Sequence, residues 1–340
     1  MGPLNGATRR ALLGSASRFA LALLLLLAPR APAAPRVLEA AVLCFPGLPS
    51  ISAAEATSAA EAATQMAREL LDLDVRIVVR AIVGAEAAFD RHVPPARRLD
   101  RTAPPTDQET RKMRAVLEAF LLRTPVRGID ALLPPGTASR WAEQVVERYL
   151  ARNAALQRAL GHDAMTSPRR ALHCLGTWDR LMRAGHGWDL LVTNGPVLYA
   201  PQDGAALHAL LRGGIIGGVT IWNIPSRTHG GAAMVSSYCL DSTEAGVAEL
   251  RGRPPLAGKE RVDALAALMT HELGHLLLKL PDNYRHANCL MHPPLGLAYL
   301  EWSRSARPPG CAECRPARRP VQSSSPSSTP SSSSSTPSPR

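Results

Sequence analysis

Residues 258–281 constrain the rest of the chain, because their apolar spacing is that of a helix packed against a core. Val262, Leu265, Met269, Leu273, Leu276 and Leu280 recur at steps of three and four and form one stripe. Pro254 and Pro255 precede the run. Pro281 closes it, since proline disfavours helical geometry at Leu280 and has no N–H for the ladder. At roughly 100° per residue, His271 and His275 point away from the stripe. The small Ala264 and Ala267 share their surface and would leave room for a cleft. Residues four apart lie on one helix face, so the two imidazoles of His271-Glu272-Leu273-Gly274-His275 can clamp one ion. Glu272 lies about 100° round from His271, within reach of a water on that ion.

The chain's 340 residues suffice for one large or two smaller domains. Arg36 to Pro46 reads as a buried strand, Ser50 to Leu73 as a helix capped by Ser52, and Val75 to Ile82 as a second strand. That is the opening of an α/β domain. Pro94 to Thr106 reads as a loop and Asp107 to Leu122 as a helix. Residues 124–187 are Arg-rich and helical, broken at Pro134-Pro135-Gly136 and Ser167-Pro168, and are expected to form an inserted helical subdomain or lid. His162, His173 and His186 in this segment lack ligand spacing and read as core or surface histidines. Trp188 to Thr193 and Ala232 to Leu240 read as strands. Between them, Gly213 to Asn223 is glycine-rich and apolar, which suits either close backbone approach, to a strand or an extended peptide, or a tight bend.

The net charge of +11 comes almost entirely from arginine, since Lys112, Lys259 and Lys279 are the lysines. These arginines are scattered without interleaved aromatics, so they read as compositional bias, and no nucleic-acid partner is expected. Residues 1–34 read as a signal peptide: Arg9 and Arg10, an apolar run from Phe19 to Ala28, then Ala31-Pro32-Ala33-Ala34. Thr8 to Leu13 also resembles a twin-arginine signal, with an ordinary secretory signal as the alternative. The run is short for a bilayer span, so no stable membrane anchor is expected after cleavage. Export from a bacterial cell, to the periplasm or beyond, is the expectation. Residues 35–318 are expected to form the folded domain that carries this motif, and 319–340, rich in Ser, Thr and Pro, a disordered tail.

Two imidazoles plus a third nitrogen or oxygen ligand suit zinc with an open fourth position. A carboxylate beside such an ion can take a proton from attacking water and return it to a leaving amine, the role assigned to Glu272. Cys289-Leu290-Met291-His292-Pro293 and Cys311-Ala312-Glu313-Cys314 follow the helix. With the His-Glu-x-x-His motif, they resemble the archaemetzincins, metzincin-type zinc peptidases with the pattern HExxHxxGxxH, then Cys, Cys-x-Met and Cys-x-x-Cys. The shared motifs cover His271 to Cys314. The resemblance implies an α/β catalytic domain with a mixed twisted sheet and the active-site helix behind it. It further implies a peptide or protein substrate, a catalytic zinc, Met291 in a methionine turn beneath that metal, and a second, structural zinc.

This chain departs from the pattern at several positions. Leu278 stands at the family's glycine and Pro281 at its third histidine, so the helix is expected to run to Pro281, with the third ligand downstream. Asp282 is nearest, with His286 and His292 as alternatives, and zinc accepts each chemically. The family's first cysteine has no counterpart, but His286, Cys289, Cys311 and Cys314 make a Cys3His set for a structural zinc. Disulfides among Cys289, Cys311 and Cys314 are the alternative, and a Cys174–Cys239 disulfide stays open. Three rival readings stand beside the peptidase. One is a non-catalytic zinc-binding module, the second a gluzincin-like peptidase with Glu301 as third ligand, and the third a charge-driven binder of cell wall or nucleic acid with no metal requirement.

Overall fold

Alternate residues of three neighbouring strands supply two separate cores, one on each face of a single sheet. The computed structural model describes residues 35–99, 105–159, 171–200, 206–306 and 310–313. The expected signal peptide, His162, Cys314 and the Ser/Pro tail lie outside them. The chain divides into Met1–Arg36, of which only Pro35 and Arg36 are described, and Val37–Arg340, the unit described below.

The opening is strand, helix, strand: β1 (Arg36–Cys44), α1 (Ala53–Leu71) and β2 (Val75–Gly84). Ser52 caps α1 through a reciprocal pair, its hydroxyl accepting the Glu55 N–H at 3.2 Å and the Glu55 carboxylate accepting the Ser52 N–H at 3.1 Å. With β3 (Leu190–Thr193), β4 (Gly218–Trp222) and β5 (Gly231–Ser236), a five-stranded sheet forms in the order β2-β1-β3-β5-β4. β3 runs parallel to β1 and β5, whereas β4 is antiparallel to β5 and lies at the edge, so the sheet is mixed. β5 stops at Ser236, short of the expected Leu240, because the chain turns at Ser237 into a short helix, Tyr238–Asp241.

Strand side chains alternate between faces. Leu38, Ala40, Val42, Leu190, Val192 and Val235 join the core made with α1 and the long helix α9 (Gly258–Leu278). Ala41, Leu43, Leu191, Ala232 and Met234 join the core on the other face. That second face is covered by α2 (Ala85–His92), α3 (Asp107–Arg123), α4 (Ala138–Ala159), α5 (Leu175–Arg183) and α6 (Leu207–Leu211). The described helices of the expected insertion therefore share one core with the central strands, through Val145, Trp178 and Leu181. Three short helices, α7 (Tyr238–Asp241), α8 (Ala245–Arg251) and α10 (Tyr299–Ser305), complete the described α-helices.

The surroundings of α9 correct one expectation. Every residue from Ala264 to Gly274 is buried, so the helix has no broad open face. Ala264 and Ala267 do not border a cleft; both are fully buried in the core shared with α1. Small side chains there permit close helix packing, and the Thr270 hydroxyl reaches the Ala63 carbonyl of α1 at 3.3 Å.

Arg261, near the start of α9, joins three elements. It donates to Asp241 Oδ2 at 3.1 Å, to the Ser50 carbonyl at 3.1 Å, and to the Glu55 carboxylate. The Asp241 side chain is only 3% exposed, so removing its partner strands a buried carboxylate. Arg261→Met is expected to lower stability by about 3 kcal/mol, read from the urea midpoint. A change below roughly 0.5 kcal/mol, the range of an ordinary surface substitution, would contradict this role.

Candidate metal centre

One turn of α9 separates His271 from His275, and a backbone carbonyl holds each ring. His271 Nδ1 lies 2.8 Å from the Leu290 oxygen and His275 Nδ1 lies 2.5 Å from the Leu280 oxygen. A carbonyl can only accept, so each Nδ1 carries the proton and each Nε2 is left to face the other. The two Nε2 atoms are 3.0 Å apart. Asp282 Oδ1 completes the group at 3.5 Å from His271 Nε2 and 3.4 Å from His275 Nε2. Among the described residues, this is the group of three with ligand atoms close enough to hold one metal ion.

The local chain path explains how Asp282 arrives there. The helix does not run to Pro281 as its composition suggests. It ends at Leu278, and Lys279 takes a left-handed conformation at φ 56°. The Lys279 N–H returns to the His275 carbonyl and the Leu280 N–H to the Gly274 carbonyl, each at 3.2 Å, so the reversal satisfies the last carbonyls of the helix. The Asn283 N–H then bonds the Met291 carbonyl at 2.8 Å, fixing the loop behind Asp282. Met291 is fully buried beneath the helix, where a Cβ on Gly274 would lie 2.5 Å from its sulfur. The Cys289-Leu290-Met291 run thus supplies both the packing under α9 and the carbonyl that orients His271.

Burial and mutual charge set the protonation of the metal-free cluster. Burial, then the charge of His275, pulls His271 down to about 3. Burial also works against a charged His275, but the carboxylates of Asp282 and Glu272 outweigh it and raise His275 to about 9. Burial opposes ionisation of Asp282, yet the surrounding imidazoles hold it well below the usual carboxylate range. Asp282 Oδ1 is buried with no hydrogen-bond partner despite its nearness to both rings. A carboxylate oxygen and two ring nitrogens aimed at one point, with one proton among them, are the donor set of a cation site.

Glu272 lies against the edge strand. Its Oε2 accepts the Thr220 hydroxyl at 2.7 Å. Burial raises its pKa to about 7, against the opposing pull of His275 and of the Thr220 hydrogen bond. Gly218 makes room for it, since a Cβ there would fall 2.5 Å from Glu272 Oε1. The Trp222 indole N–H donates to the His275 carbonyl at 3.1 Å. A cleft of about 370 Å³ opens in front of these groups, with Leu175, Tyr199 and Ile216 among its apolar walls.

Other expected site residues lie apart from the triad. His286 is exposed, with Nδ1 3.1 Å from Cys311 Sγ and Nε2 3.4 Å from Glu313, so it is not the third ligand beside His271 and His275. Cys289 Sγ accepts the Met291 N–H at 3.3 Å and borders a narrow gap with Cys311. Among the described residues, His286, Cys289 and Cys311 do not close into a metal-sized group; Cys314, the fourth member of the expected set, lies outside them. His292 is buried, with its ring 6.1 Å from that of Tyr284, and does not join the triad. Glu301 pairs with Arg253 at 2.8 Å on α10, which corrects its candidacy as a ligand. The Cys239 thiol is free and buried, its S–H directed at the Ile216 carbonyl, so the Cys174–Cys239 disulfide is not formed.

Sequence reasoning missed His208. It sits on α6 with Nδ1 2.7 Å from the Tyr284 hydroxyl and 3.6 Å from Asp282 Oδ2. No spacing rule links it to the site, because it lies 74 positions before Asp282 (282 − 208). No described helix is long and apolar enough to cross a membrane. No family model, curated protein or solved structure matches this chain.

Proposed function

We propose that this chain is a zinc metallopeptidase similar to archaemetzincins, exported and acting on peptide or protein substrates. The observation that carries this reading is the convergence of His271 Nε2, His275 Nε2 and the buried Asp282 Oδ1 at 3.0–3.5 Å. Ligands about 2.0–2.1 Å from a tetrahedral zinc lie about 3.3 Å from one another, so the cluster has the right size. Zinc there would supply Lewis acidity toward a water and a substrate carbonyl.

The departure from HExxHxxGxxH is compensated in this chain. The family's turn residue precedes its third ligand by three positions, and Lys279 precedes Asp282 by three, so turn and ligand have moved together by one residue. Glu272 then acts as base and acid: its carboxylate takes the proton of the attacking water and delivers it to the leaving amine. Thr220 holds Oε2, fixing the carboxylate's orientation. Edge strand β4 offers an extended peptide a row of backbone groups beside Glu272, by strand addition.

A structural zinc at His286, Cys289, Cys311 and Cys314 belongs to the same proposal, supported by the contact between His286 and Cys311. The test is metal analysis with peptide cleavage. Two zincs per chain are expected, one lost in His271→Ala and the other in Cys311→Ser. Cleavage of a peptide library should be abolished by chelation and restored by zinc. Cleavage that survives complete zinc removal would sink the proposal.

A further inference from the structure

Asp282 must present one carboxylate oxygen to the two imidazoles from a loop between Pro281 and Asn283, and a free carboxylate rotates readily about χ2. Its Oδ1 faces His271 and His275, while Oδ2 faces His208 Nδ1 at 3.6 Å. The His208 ring is itself held, with Nδ1 2.7 Å from the Tyr284 hydroxyl. Tyr284 is anchored in turn: its carbonyl accepts the Arg127 N–H at 2.9 Å and its ring packs against Phe120 at 5.4 Å. We propose that His208 is a positioning residue of the metal centre, holding the outer oxygen of Asp282 so that the inner one faces the metal.

This inference rests on the metal reading above and adds to it a residue from α6. Beside a carboxylate, the tautomer with its proton on Nδ1 is favoured, because a lone pair at that position would repel Oδ2. The Nδ1–H then bonds the Tyr284 oxygen and turns its positive end toward Asp282 Oδ2, an electrostatic contact at 3.6 Å. A ligand held by such an outer partner keeps its orientation when the metal leaves, and loss of the partner typically costs 10–100-fold in metal affinity. The arrangement also ties the site to α3 on the second face of the sheet, through Phe120, and to the turn after it, through Arg127.

The experiment is zinc affinity, measured by chelator competition on the full chain, for the zinc that His271→Ala abolishes. His208→Leu should bind it about 10–100-fold more weakly, with the far-ultraviolet circular dichroism of the metal-free protein unchanged. His208→Asn, whose amide N–H can stand in for Nδ1–H, should recover most of the affinity, and His208→Gln should not. Tyr284→Phe should fall between wild type and His208→Leu, and it carries the test if His208→Leu fails to fold. Wild-type affinity in both His208→Leu and Tyr284→Phe overturns this proposal alone, as does equal loss in His208→Asn and His208→Leu. A wild-type chain that binds no zinc at His271 overturns the metal reading and this inference together.

Discussion

Glu272→Gln is expected to lower kcat for peptide hydrolysis by about 10²–10⁴-fold, the usual contribution of a general acid–base, with zinc content unchanged. Glu272 is not one of the three converging ligand atoms, so the substitution leaves the metal group intact. The amide has the size of the carboxylate and can keep the Thr220 contact, but it cannot accept the proton of the attacking water. Gly218→Ala supplies an independent arm. Its Cβ would press on Glu272 Oε1 from 2.5 Å, displacing the base without touching the ligands, so it should reproduce part of the loss. Activity near wild type in Glu272→Gln would remove that residue from the mechanism. Equal, background-level turnover in both wild type and Glu272→Gln would favour a zinc-binding module without peptidase activity.

Zinc affinity at this centre is expected to rise about tenfold per pH unit between roughly pH 7 and 9, then level off. In the metal-free chain His275 is raised to about 9, so it carries a proton at neutral pH that the metal must displace. His271, held near 3, and Asp282, held low, have already lost theirs and contribute no slope. One proton should therefore be released per zinc bound at pH 7, measurable by calorimetry in buffers of different ionisation enthalpy. The stability of the metal-free protein runs the other way. A histidine whose folded pKa is raised stabilises fully below its unfolded value, near 6.5, and that contribution is lost as pH rises through about 9. Asp282→Ala removes both a ligand and the principal cause of the raised His275 pKa. It should weaken zinc binding at least about 100-fold, by analogy with the loss of an outer partner alone, and reduce the proton release. Tight, pH-independent binding in Asp282→Ala would exclude the carboxylate from the site.

The parts of this molecule that could be read from the chain are those with local causes. The Ser52 cap, the two flanking strands and the apolar period of α9 act over a few residues, and the structure forms each of them. The helix end was not legible, because lysine carries no preference for the left-handed conformation that Lys279 adopts, while Pro281 looked like the natural stop. Ala264 and Ala267 misled for another reason. Small residues read as space, but α1 fills that space, a packing decision made elsewhere in the chain. The antiparallel edge strand and the approach of His208 to Asp282 depend on the sheet order, which no local pattern encodes.

The most direct test of the metal centre is a crystal of the zinc-loaded protein with anomalous data collected on both sides of the zinc edge. The account predicts a peak bonded to His271 Nε2, His275 Nε2 and Asp282 Oδ1, each at about 2.0–2.2 Å. A zinc-loaded crystal with no peak among those three atoms, or with Asp282 turned away and another residue in its place, would contradict it.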